Sequence, residues 1–210
     1  VRVLPGAFDV QAGLVVVGLD EVLAGGLFLA HELRTVRVRS FNLIGPGQPS
    51  HLLVSDVVRQ VAVAERASGP MTVRIGNLFP RRDYTDVRDA VRAYILLARS
   101  GQPGEVYNVC TGRSYSVQDC VDTLARLIGK PVRVEVDQAR VRQLEITDQV
   151  GAADHLRMAT GWQPTIPLET SVRDLVTVKV DRKRKVPVTT LLRTFGLPTD
   201  EEILEPFADV

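Results

Sequence analysis

The sequence predicts an α/β protein, and three observations carry that expectation. Short β-branched runs such as Thr35 to Val38 and Val73 to Ile75 alternate with longer stretches of helical apolar spacing. Gly and Pro punctuate the joins between them. A chain of 210 residues with 45% hydrophobic content supplies one sizeable core and room for at most a small appendage.

Taken in order, Val15-Val16-Val17-Gly18 reads as a strand and Glu21 to Leu33 as a helix. The apolar run Leu14 to Ala30 is broken by Asp20 and Glu21, so it falls short of the roughly 20 uncharged residues a bilayer span requires. No basic segment precedes an apolar core as in a signal peptide. Arg39 to Gln48 then turns on Gly and Pro after a strand, which places Asn42 at a strand's carboxyl end, where open α/β sheets bind ligands. Leu53, Val54, Val57, Val58, Val61 and Ala64 form the stripe of an amphipathic helix over Leu52 to Ala67.

Beyond the strand Val73 to Ile75, residues Gly76 to Asp89 are expected to carry Arg81, Arg82 and Tyr84 from a turn straight into a helix, Asp86 to Ala98. Guanidinium forks beside a positive helix end suit a diphosphate, and the competing reading is a solvated basic turn. Gly104 to Gly112 holds another short strand. Ser116 and Asp119 make a capping box that opens a helix running to Ile128, and Val132 to Val136 alternates as a strand. Arg142 and Glu145 place a cation and a carboxylate three apart, ahead of Gly161-Trp162-Gln163-Pro164.

With those residues in place, the stretch from about Val36 to Val176 resembles the C-terminal half of the extended short-chain dehydrogenase/reductases, the NAD-dependent epimerase/dehydratase family. The phrases FNLIGPGQ, GNLFPRRDYTDVRDAVRAY, GEVYNVCTG and GWQP are most similar to GDP-mannose 4,6-dehydratase and GDP-6-deoxy-4-keto-mannose reductase. The resemblance implies the last strands of a Rossmann-type sheet with a small substrate-binding lobe over them. It also implies an incomplete sheet with an exposed edge, a feature that invites pairing or aggregation. By the same resemblance Asn42, Arg82, Tyr84, Arg142 and Glu145 bind the nucleotide-sugar: Asn42 the sugar or diphosphate, Arg82 and Arg142 the diphosphate, Tyr84 beside the nucleoside and Glu145 the ribose or base. Ser40 lies beside the nicotinamide. For the pair Arg142 and Glu145 the competing reading is a surface salt bridge, since Gln143 stands where the family has Pro.

Two of the family's features are missing from this sequence. No Gly-rich strand-turn-helix opens it, and none of Tyr84, Tyr94, Tyr107 and Tyr115 is followed at the fourth place by the Lys of a Tyr-x-x-x-Lys pair. The expectation is therefore a fragment: the substrate half of a dehydratase, reductase or epimerase, inactive alone, with no catalytic residue of its own. NAD(P), the cofactor of the intact family, is not expected to bind this chain by itself. Residues 1–35 stay unassigned. From Val178 the text changes, and Val178 to Val210 resembles a segment of the bacterial RNA polymerase β subunit, including DRKRKVP and TDEEIL. Residues 177–210 are thus read as a foreign tail in a composite reading frame. A transcription-related fragment is the alternative function.

Charge and composition bound the remainder. With 26 basic residues against 25 acidic, the net charge of +1 argues against a general polyanion binder, so any phosphate preference is local and nucleic acid is not an expected partner. Cys110 and Cys120 read as small core residues rather than a disulfide pair. His31, His51 and His155 are too scattered for a metal site. These readings together give a soluble cytoplasmic protein that takes a GDP-sugar or other nucleotide-sugar, a homodimer in the intact family.

Overall fold

A computed structural model describes residues 14–17, 21–31, 34–66, 71–141 and 143–180. Strand β1 (Leu14–Val17) and helix α1 (Glu21–His31) come first, then β2 (Thr35–Ser40) and β3 (Asn42–Ile44). Helix α2 (Leu53–Arg66), β4 (Thr72–Ile75), β5 (Arg81–Asp86) and α3 (Val87–Ser100) follow. Next are β6 (Val106–Val109), β7 (Ser114–Ser116), α4 (Val117–Ile128) and β8 (Arg133–Val136). A 3-10 turn (Gln138–Arg140), β9 (Asp148–Gln149), α5 (Asp154–Thr160) and α6 (Leu168–Val180) complete the described chain.

Two apolar centres result. Strands β1, β2 and β6 form a parallel sheet in that order, with β1 and β6 at its edges among the described residues. Val36, Val38, Tyr107 and Val109 of this sheet pack on Ala90, Ala93 and Leu97 of α3 and on Leu156 of α5, with Trp162 beside them. In the second centre, Val54, Val57, Val58 and Val61 of α2 meet Val73 and Ile75 of β4, Val121 and Leu124 of α4, and Val172 and Leu175 of α6. Val54, Val57, Val58 and Val61 of the α2 stripe are buried on one face, as the sequence spacing predicts, whereas Leu53 at its start is exposed and Ala64 only partly covered. The Ser116–Asp119 capping box forms, and Gly129 closes α4 in the left-handed conformation at φ 67°, which favours glycine.

The stretch from Arg81 to Asp89 differs from expectation. Instead of a turn leading directly into a helix, Arg81 to Asp86 is a strand. It pairs in parallel with β3 and β9 and antiparallel with β7, and these long-range ladders override the local turn signal. The helix end is also already filled. Asp86 caps α3 through the Arg88 N–H at 2.9 Å, while its carboxylate takes the Arg88 guanidinium at 2.8 and 2.9 Å and the Ser171 hydroxyl. The Arg88 guanidinium also pairs with Asp174 at 2.8 Å, which ties α3 to α6, and Asp86 with Asp174 holds its pKa above the ordinary value.

Two further aspartates in this stretch do similar work. Asp83 is fully buried and accepts from the Thr111 N–H and hydroxyl, the Gly112 N–H and the Gly151 N–H, tying β5 to the turns after β6 and β9. Asp89 accepts from the Thr165 and Ile166 N–H groups, and its carbonyl takes the Trp162 indole N–H at 2.9 Å. The motif is therefore largely a set of buried staples. Burying a carboxylate is tolerated here because each one is satisfied by several donors.

Candidate functional site

A cleft of about 510 Å³ opens between β3, β5, the start of α2 and the loops after β4 and β8. Asn42, Arg82, Tyr84 and Glu145 all line it. Strand geometry explains their convergence. Arg82 and Tyr84 are two residues apart on β5 and share a face, and Asn42 is the register partner of Tyr84 in the neighbouring strand. Arg81 faces the other way, donating to the Ser114 carbonyl at 2.6 Å and approaching Asp119 at 3.4 Å.

Each cleft residue is held by a neighbour. Asn42 Nδ2 donates to Gln149 Oε1 at 3.1 Å and to the Asp83 carbonyl at 3.3 Å. Arg82 spends Nη1 on the carbonyls of Arg81 and Ile146, at 2.8 and 2.6 Å, while Nη2 stands 3.8 Å from Glu145. Glu145 in turn accepts from Asn77 Nδ2 at 3.2 Å. Burial, aided by Cys120 and only partly offset by Arg82, pushes the Tyr84 phenol above its ordinary value. The neutral hydroxyl is therefore favoured, and Tyr84 lines the cleft as an aromatic wall.

Several cleft residues carry no ligand role in the sequence reading: Gln48, His51, Asp56, Asn77 and Arg140. Arg140 donates to Asp56 at 2.9 Å and to the Arg74 carbonyl at 3.1 Å. Burial pushes the Asp56 carboxyl up, but hydrogen bonds from Arg59, Arg140 and Gln60 outweigh it and leave the pKa below the usual value. The turn bearing Arg140 lies so close to β4 that a Cβ at Gly76 would collide with the Arg140 carbonyl. The only hint in the sequence was the Arg-x-Arg spacing of Arg140 and Arg142. Arg142 itself lies outside the described residues.

Ser40 is at the end of β2, away from the cleft lining, and its hydroxyl is 2.6 Å from the Tyr94 hydroxyl. Cys110 and Cys120 are buried free thiols. Among the described residues no group of three or more His, Cys, Asp or Glu could hold a metal ion, and no helix is long and apolar enough to cross a membrane.

The family model described as GDP-mannose 4,6 dehydratase matches residues 25–175. GDP-6-deoxy-D-mannose reductase of Pseudomonas aeruginosa is 31% identical over 152 residues, covering 72% of this chain and 50% of that protein. The solved structure of RMD from Pseudomonas aeruginosa complexed with NADPH superposes with a TM-score of 0.72 at 29% identity, over 77% of this chain and 54% of that one. The fold is thus a mixed α/β arrangement of the Rossmann-type epimerase and reductase kind, and the chain spans about half the length of the nucleotide-sugar relatives it matches. A second model, RNA polymerase Rpb2 domain 2, matches residues 155–208. The DNA-directed RNA polymerase subunit beta of Exiguobacterium is 50% identical over 44 residues, 21% of this chain and 4% of that protein. The part of this likeness in residues 181–210 lies outside the described residues.

Proposed function

The chain belongs to the GDP-mannose 4,6 dehydratase family, and on that premise we propose that its cleft is the substrate-binding part of an NAD(P)-dependent nucleotide-sugar enzyme taking a GDP-linked hexose. The observation that carries the reading is the convergence of Asn42, Arg82, Tyr84 and Glu145 on one cleft of about 510 Å³. Arg82 offers its remaining N–H groups to the diphosphate, Asn42 its amide to the sugar or diphosphate, Tyr84 a flat wall near the nucleoside, and Glu145 an acceptor for ribose or base hydrogens. Arg142 is the second diphosphate cation in this reading.

The sequence holds no Tyr-x-x-x-Lys, and the Ser40 hydroxyl expected beside the nicotinamide is paired with Tyr94. No chemical step is assigned to this chain, which binds and orients the sugar nucleotide. The enzyme-derived part occupies residues 36–176 and the polymerase-like tail 177–210, with the boundary inside α6. Buried free thiols at Cys110 and Cys120 agree with a cytoplasmic setting, and the homodimer in this reading belongs to the intact family.

Calorimetric titration of the 210-residue chain with GDP, GDP-mannose and UDP-glucose tests this. Weak binding with preference for the guanosine ligands is expected. No heat at millimolar GDP from a folded chain would refute it.

A further inference from the structure

Both described arginines of the cleft stand next to a carboxylate, Arg82 with Glu145 at 3.8 Å and Arg140 with Asp56 at 2.9 Å. The second pair is asymmetric. Asp56 has other donors, Arg59 at 2.6 Å and Gln60 at 2.9 Å, so it stays satisfied if Arg140 departs. Asp56 is 15% exposed at its side chain and Arg140 47%, so the guanidinium is the wetter partner; it also donates to the Arg74 carbonyl at 3.1 Å and stands 3.4 Å from Asp137. The backbone beneath it is fixed by the close approach to Gly76 and by the Asp137 cap of the 3-10 turn. A long side chain on a rigid base, parked on a carboxylate with partners to spare, is placed to exchange that carboxylate for a stronger anion.

We infer that Arg140 is a phosphate-binding residue of the cleft: it leaves Asp56 and closes on the diphosphate of the ligand, with Asp56 acting as its resting partner and competitor. This rests on the nucleotide-sugar reading of the same cleft. A diphosphate carries more charge than Asp56 and offers several oxygens to the planar fork, so the exchange runs toward the ligand when it is present. Two cations, Arg82 from β5 and Arg140 from the turn after β8, then reach the same group from different walls.

The alternative is a purely structural staple between the turn and α2, and three variants of the full chain separate the two. Titration with GDP, inorganic pyrophosphate and guanosine is compared for wild type, Arg140→Ala, Asp56→Asn and the double variant, each checked by its melting curve. The inference expects Arg140→Ala to weaken GDP and pyrophosphate about tenfold or more and to leave guanosine unchanged. Asp56→Asn is expected to strengthen GDP binding severalfold, and the double variant to behave like Arg140→Ala. Wild-type affinity in a folded Arg140→Ala overturns the inference while leaving the cleft reading intact. Equal weakening by Asp56→Asn and Arg140→Ala overturns it in favour of the staple. If wild type binds neither GDP nor pyrophosphate, the cleft reading itself falls and this inference with it.

Discussion

The Arg82 guanidinium donates to the Ile146 carbonyl at 2.6 Å, so this cation is anchored to the segment leading into β9 before any ligand arrives. One of its nitrogens is committed to backbone, and Nη2 and Nε remain for a phosphate. Arg81, on the opposite face of β5, is bound to Ser114 and faces Asp119.

Arg82→Ala is therefore expected to weaken GDP binding, and Arg81→Ala to leave it nearly unchanged. A charge-assisted hydrogen bond contributes about 1.5 to 3 kcal/mol, so the loss at Arg82 is roughly 10- to 100-fold. Raising the salt concentration weakens wild type more than Arg82→Ala. Calorimetry on the three proteins decides it, and equal affinities would remove Arg82 from the site.

Asp83 does not line the cleft, touching it only through its carbonyl on Asn42, yet the loss of its carboxylate is expected to be among the most damaging in the chain. Asp83→Ala removes the fully buried carboxylate that accepts from the part-buried N–H groups of Thr111, Gly112 and Gly151. Each orphaned donor costs about 1 kcal/mol or more, so the total is on the order of 3 kcal/mol, a fall in Tm of about 6 to 12 °C. An unchanged thermal transition would show that water replaces the carboxylate.

A pH dependence follows from Asp119. The Ser116 backbone N–H, more than any other contact, draws its carboxyl below the usual value of 3.8. A carboxylate with a depressed folded pKa stabilises the fold above its unfolded value, and that contribution is lost as pH falls through the folded value. The difference in Tm between wild type and Asp119→Ala should hold steady from neutral pH down to about pH 5 and shrink below about pH 4. A gap that widens with acid would contradict the assignment.

Burial pushes both thiols up to about 12. Neither Cys110 nor Cys120 should react with a disulfide reagent at pH 8 in the folded chain, and both should react in denaturant, because the thiolate is the nucleophile. Prompt labelling of one thiol without denaturant would reveal local opening.

Local chemistry was legible in the sequence, and long-range pairing was not. The α2 stripe and the Ser116–Asp119 box were readable because each is written within a few consecutive residues. Arg81 to Thr85 reads locally as a turn and Asp86 as the start of the helix, because what makes Arg81 to Asp86 a strand comes from residues 42–44, 114–116 and 148–149. The cleft positions of Asn42, Arg82, Tyr84 and Glu145 were reached through the family phrases. The staples Asp83, Asp86 and Asp89 carry no periodic signal, since their three-residue spacing runs across a strand and into a helix. Arg140 was missed because its partner Asp56 is 84 positions away.

Strand β5 has a consequence for how the molecule opens. Tyr84 belongs to the apolar centre around α2, α4 and α6, while Asp83 on the same strand is fastened to Thr111 and Gly112 in the turn after β6. Neither centre can come apart without disturbing β5. The slowest amide hydrogens of Val38 in one centre and Val57 in the other should then exchange with solvent through a single shared opening, as one cooperative unit rather than two.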